Sequence, residues 1–139
     1  MRYTRCLFVM AALAALCAAQ AQAGGHNLPS KKRQVSPGPP PLGTSFTAVV
    51  KGSGELVRGS GAVAASQPEG VGTYEVEFTA DVTNCVYVAT LGEPGNNGPA
   101  PPGDITVVGR SGDAEGVFVQ TGDIHGNLKN RAFHIDVGC

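Results

Sequence analysis

The sequence predicts an all-β protein, a small antiparallel and jelly-roll-like β-sandwich of about seven or eight strands. Three observations carry that expectation. Apolar residues alternate with polar ones over short runs, which is the period of a strand with one face on a core. Gly-Ser-Gly at 52–54 and 59–61, and Gly-Asp at 103–104, 112–113 and 122–123, punctuate those runs at the spacing of strand turns. Glycine (20) and proline (10) are abundant in the 139 residues, and only 15% of the residues are charged. No window holds the amphipathic pattern of a helix, and this composition excludes a coiled coil or helix bundle. A formal net charge of −1 excludes a strongly basic nucleic-acid binder.

The first element is an export signal, residues 1–23. Arg2 and Arg5 precede an apolar run over residues 6–19, and Ala21-Gln22-Ala23 follows it. Charged start, apolar middle and small-residue end are the three parts of a signal peptide, with cleavage expected after Ala23. The run is shorter than the roughly 20 residues that cross a bilayer. A retained membrane anchor is the weaker alternative, and no other stretch is long and apolar enough to span. The protein is therefore expected to be secreted, periplasmic or on the cell surface.

Residues 24–43 form the second element, a linker. It contains Pro29, Pro37, Pro39, Pro40 and Pro41 and almost nothing to bury. Such a segment cannot offset its ordering entropy, so an extended, mobile chain is expected. Lys31, Lys32 and Arg33 lie within it. They read as a solvated charged stretch, with a processing site or a contact to an anionic surface as the sharper alternatives. All 11 acidic residues follow residue 43, against five of the 10 basic ones. The body is thus acidic and the linker basic.

Residues 44–139 form the domain. Weak strands are expected over 46–51, 55–58 and 62–66. Residues 73–79 are the clearest strand, with Tyr74, Val76 and Phe78 on one face and Glu75 and Glu77 on the other. Residues 84–91 are apolar on both faces and predict a central strand, in which Cys85, Tyr87, Ala89 and Leu91 share a side. The loop 92–103 is the longest break, suited to a crossing between sheets or to binding. Weak strands over 105–109 and 116–121 follow. The last strand, 131–139, sets Phe133, Ile135, Val137 and Cys139 against His134 and Asp136.

Export alters the cysteine arithmetic. Cys6 and Cys17 leave with the signal, so Cys85 and Cys139 remain, and outside the cytosol such thiols usually oxidise. Both lie on the apolar parity of their strands, as an inward-facing disulfide requires. An intermolecular bond or free thiols are the competing readings. No Cys-x-x-Cys is present, which argues against a redox-active or zinc role.

Candidate chemistry is sparse. Asp104, Asp113 and Asp123 in the Gly-Asp turns are weak calcium candidates, since carboxylates are hard-cation ligands, but aspartate is also a favoured turn residue. Ser111 lies in a Gly-Arg-Ser-Gly-Asp run without the Gly-x-Ser-x-Gly of a nucleophile elbow. His125 lies between turn residues. His134 and Asp136 share a face and suggest a surface hydrogen bond. Glu75 and Glu77 are spaced as an acid–base pair and more simply as a solubilising face. The aromatic residues mostly fall on core parities, which leaves sugar recognition to hydrogen bonds from Asn96, Asn97 and the Asp turns. No catalytic residue, metal site or cofactor is therefore assigned.

Gly72 to Thr90 (GTYEVEFTADVTNCVYVAT), with Val117-Phe118-Val119 and the ending Phe133-His-Ile-Asp-Val-Gly-Cys139, resembles a group of short exported bacterial β-proteins whose function is not known. The shared pattern is G-x-Y-x-V-x-F…C-x-Y with a C-terminal Cys, and it implies an all-β domain with paired cysteines. More loosely, the G-x-Y-x-V-x-F strand is similar to strands in the trimeric jelly-roll heads of fibrous proteins. Neither resemblance implies a catalytic residue. Two classes of function remain. The first is a secreted or surface-associated non-catalytic β-domain that binds an extracellular protein or glycan or packs into an assembly. The second is a small extracellular enzyme or a calcium- or carbohydrate-binding protein. A pocket joining His125, His134 and a carboxylate would favour the second, and a flat or apolar patch the first.

Overall fold

The computed structural model describes residues 37–139. The signal peptide with its cleavage point after Ala23, and the basic run at Lys31, Lys32 and Arg33, lie outside the described residues. Residues 37–43, assigned to the linker, contact the body at two places. Gly38 accepts a hydrogen bond from the Asp81 amide (3.4 Å). The Thr44 amide and hydroxyl both donate to the Pro41 carbonyl, at 3.1 and 2.7 Å.

The described residues form eight strands and no helix. They are β1 (Ser45–Val50), β2 (Leu56–Ser60), β3 (Ala62–Ser66), β4 (Thr73–Phe78), β5 (Val86–Leu91), β6 (Ile105–Gly109), β7 (Gly116–Thr121) and β8 (Phe133–Gly138). Two four-stranded sheets result, in the orders β2-β1-β8-β5 and β3-β4-β7-β6, and every strand pair is antiparallel. This is the antiparallel sandwich that the alternation of apolar residues predicts. The loop 92–103 carries the chain from β5 in one sheet to β6 in the other.

Alternation decides which side chains meet between the sheets. Phe46, Ala48 and Val50 of β1 and Phe133, Ile135 and Val137 of β8 face Tyr74, Val76 and Phe78 of β4 and Val117 and Val119 of β7. All are buried, and Val82 joins them in the core. Phe46 packs on Phe78 with ring centroids 5.9 Å apart, and Tyr74 meets Phe133 edge-on at 5.1 Å. Each such side chain contributes roughly 1.5–3 kcal/mol by leaving water. The Tyr74 hydroxyl, fully buried, donates to the Gly52 carbonyl and accepts from the Arg131 amide, both at 3.1 Å. Its polar end is thus satisfied inside the core, as burial demands. Gly61, between β2 and β3, has a φ of +70°, and a Cβ there would run into the Phe46 ring. Only glycine fits both the dihedral and the space.

One strand departs from its expected place. Residues 84–91 read as central, yet β5 is an edge strand, and the central positions of its sheet belong to β1 and β8. Its inward residues Tyr87 and Ala89 pack on the core, whereas Val86 and Val88 point outward and are 68% and 63% exposed. Apolar residues on both faces therefore mark an uncovered face here, not a second core. The strand that is central, β8, carries polar His134 and Asp136 on its outer side, because an antiparallel sheet needs only one covered face.

Cys85 and Cys139 form a disulfide, with Cα atoms 4.5 Å apart. The register explains it. β5 and β8 pair from Leu91↔Phe133 to Val86↔Gly138, so one further step places the two cysteines opposite each other. A Cα separation near 4.5 Å is that of a non-hydrogen-bonded cross-strand pair. On its other side Cys139 donates its amide to the Thr44 carbonyl (2.8 Å), so this residue is held between Thr44 and Cys85.

Candidate functional site

Three surfaces carry the polar and exposed groups. The first is a cleft of about 520 Å³ between the end of β5, the loop 92–103 and the start of β6. Leu91 and Ile105 line it with Glu93 and the run Pro99, Ala100, Pro101 and Pro102. The loop is pinned at its start by Gly92 N–H to the Ala132 carbonyl (3.1 Å) and by Arg58 Nη1 to the Pro94 carbonyl (2.8 Å). His134 Nε2 lies 3.2 Å from the Glu93 carbonyl. At the loop's end Asp104 and Gly122 exchange backbone hydrogen bonds at 3.3 and 2.9 Å. A Cβ on Gly103 would strike the Gly122 carbonyl, so the loop returns to the sheet at a point only glycine can occupy.

The second surface is the outer face of β1, β8 and β5. A shallow groove of about 280 Å³ runs there past Thr47, Val49, Val88, Thr90, His134 and Asp136. His134 and Asp136 do not bond to each other. Asp136 accepts from the Ser45 hydroxyl at 2.8 Å, and His134 reaches the loop carbonyl. Residues two apart on a strand are about 7 Å apart, so each finds a cross-strand or loop partner instead.

The third surface is the outer face of the other sheet, organised by Arg110 at the end of β6. Its guanidinium lies 5.2 Å from the centre of the Phe118 ring and forms ion pairs of 2.8 Å with Glu69 and with Glu75. The hydrogen bond to Glu69 is the main influence raising the Arg110 pKa. Glu75, Glu77 and Asp113 place carboxylate oxygens within 4.8 Å of one another. Among the described residues this is the one acidic grouping with the spacing to hold a cation. Arg110 already offsets part of its charge. The pairing Glu77↔Gly116 sets the β6–β7 turn, and with it Asp113, beside the glutamates. Nothing in the local sequence announces that long-range meeting.

The Gly-Asp aspartates do not all converge: Asp104 and Asp123 share one end of the β6–β7 pair, where Asp104 and Gly122 bond, and Asp113 lies at the other. Asp104 precedes β6 and Asp113 follows it, at opposite ends of the strand, and Asp123 follows β7. Asp113 closes its own turn by accepting from the Glu115 amide at 3.0 Å. The Asp123 carboxylate accepts from the Asn127 side chain and from the His125 and Asn127 amides, and those bonds lower its pKa. Ser111 is exposed in the β6–β7 turn, and His125 is exposed in the turn that Asp123 closes. His134 lines the groove, His125 does not, and neither lines the cleft. Phe118 faces outward beneath Arg110. The Tyr87 hydroxyl donates to the Val82 carbonyl (2.6 Å), and burial followed by the nearby Asp81 charge raises its pKa.

No protein-family model, curated protein or solved structure matches the chain.

Proposed function

We propose that the chain is an exported, non-catalytic β-module whose outer β1–β8–β5 face docks a partner protein outside the reducing interior. The observation that carries this reading is the pair Val86 and Val88, 68% and 63% exposed on an edge strand beside an apolar groove. Edge strands that are long and apolar are normally blunted by charge, and this one has none. An edge strand also offers unpaired backbone groups to an added strand. The Cys85–Cys139 bond suits a non-reducing compartment.

The test immobilises the mature chain and the Val86→Lys/Val88→Lys variant, and exposes both to the extracellular proteins of the source cells. The reading expects a partner retained by the first and lost by the second, at unchanged melting temperature. Equal retention by both, or retention by neither, overturns it. Mass spectrometry of the exported protein, with and without reductant, checks cleavage after Ala23 and the disulfide together.

The cleft favours a second reading, a binder of small polar ligands such as sugars. Its volume of about 520 Å³ lies within the roughly 300–1,000 Å³ of ligand pockets. A glycan array separates the two, because sugar binding should survive lysines on β5. A calcium titration followed by melting addresses the Glu75, Glu77 and Asp113 carboxylates, since a bound ion raises the melting temperature.

A further inference from the structure

We infer that Asn97 is a site of spontaneous covalent modification, at which the side-chain amide cyclises onto the Gly98 nitrogen and becomes aspartate and isoaspartate in the folded protein. Of the described asparagines (84, 96, 97, 127 and 130), Asn97 is the one followed by glycine. A side chain on the following residue shields its backbone nitrogen, and glycine leaves it open. Gly98 has a φ of +113°, and nothing lies within 4 Å of the position its Cβ would take. Both residues are exposed, in a stretch of the loop that belongs to no strand. Backbone there is not held by a ladder and can turn to bring nitrogen and carbonyl together.

Two other asparagines show the contrast. The Asn127 amide donates to the Asp123 carboxylate at 3.1 and 3.3 Å. Asn130 Oδ1 accepts from Gln67 Nε2 at 2.6 Å and from the Gly72 amide at 2.7 Å. Cyclisation at either would first break those bonds. No hydrogen bond to a described residue holds the Asn97 side chain.

The chemistry needs only water and hydroxide. Base takes the Gly98 N–H proton, the nitrogen attacks Cγ of Asn97, and the N–Cγ bond forms. The Cγ–Nδ2 bond breaks, and the nitrogen leaves as ammonia with a proton from water. One water then opens the succinimide at either carbonyl, giving aspartate or isoaspartate. No group is oxidised or reduced. The product adds a carboxylate to the loop that already carries Glu93, and isoaspartate adds a methylene to the main chain beside Gly98, a lining residue of the cleft. The charge and shape of the cleft rim would thus change as the protein ages outside the cell.

The experiment incubates the folded full-length mature protein at neutral and mildly alkaline pH. Peptide mass spectrometry and isoaspartyl methyltransferase labelling follow each asparagine. Conversion is expected at Asn97 ahead of Asn96, Asn127 and Asn130, faster at the higher pH, with ammonia released in equal amount. Gly98→Ala should lose most of it, and Asn97→Gln should remove it while the melting temperature stays unchanged. Conversion at Asn97 no faster than at Asn127, or an Asn97 that stays intact in the folded protein but converts in the isolated loop peptide, overturns the inference.

Discussion

The Tyr74 hydroxyl ties three parts of the chain together at one atom, joining β4 to Gly52 and to Arg131. Its removal in Tyr74→Phe keeps the ring in place against Phe133 and leaves two part-buried backbone groups without their partner. Orphaned buried polar groups cost about 1–3 kcal/mol, so urea denaturation should show a loss of that size with an unchanged slope. A loss below a few tenths of a kcal/mol would mean that water reaches both groups. Asp123 makes a different kind of contribution, on an exposed turn. Its folded pKa lies below the ordinary 3.8, chiefly because the Asn127 side chain bonds its charged form. A depressed carboxylate gives stability that is present above the unfolded value and is lost as pH falls through the lower folded one. The Asn127 amide resonance should therefore hold steady at neutral pH and shift in acid with a midpoint below 3.8, and Asp123→Ala should abolish the shift. A midpoint above 3.8 would show that the turn does not hold the carboxylate in its charged form.

Among the elements, β5 and β8 show how far local pattern reaches. Positions of all eight strands follow from alternation and glycine turns, since both are local. Whether a strand is central depends on its neighbours, which alternation does not encode. In β5 the outward Val86 and Val88 imitate a two-sided core, while β8 shows polar residues outside and is central. The Arg110–Glu75 ion pair and the meeting of Asp113 with Glu75 and Glu77 were hidden for the same reason, because each depends on the register of β4, β7 and β6. The two strands make opposite predictions. Val88→Lys, outward on an edge, should change stability by no more than about 0.5 kcal/mol. Phe133→Ala, inward on β8 and fully buried, should cost about 3–5 kcal/mol through lost transfer energy and the cavity left behind. Chemical denaturation of both variants checks the pair. A large loss for Val88→Lys would place that face against a covering surface within the protein itself.

At the scale of the molecule, the disulfide ties the edge strand β5 to the well-buried central strand β8. β5 pairs on one side only, whereas β8 is held by β1 and β5 on both sides. The bond spans a sequence separation of 54 residues, which includes the crossing to the second sheet, all of β6 and β7, and β8. Closing such a loop restricts the unfolded chain far more than the folded one, where register already sets the cysteines side by side. The chain-entropy estimate is about 4 kcal/mol. In a domain of this size each kcal/mol moves the melting temperature by about 4–8 °C. Cys85→Ser/Cys139→Ser should therefore melt far below the oxidised protein, and the wild type in reductant should follow it. The variant should also show a steeper urea dependence, because its unfolded state exposes more surface. Equal melting temperatures with and without the bond would shift the stabilising role to the β5–β8 ladder, and the exposed valine edge would then stay ordered without its covalent tie.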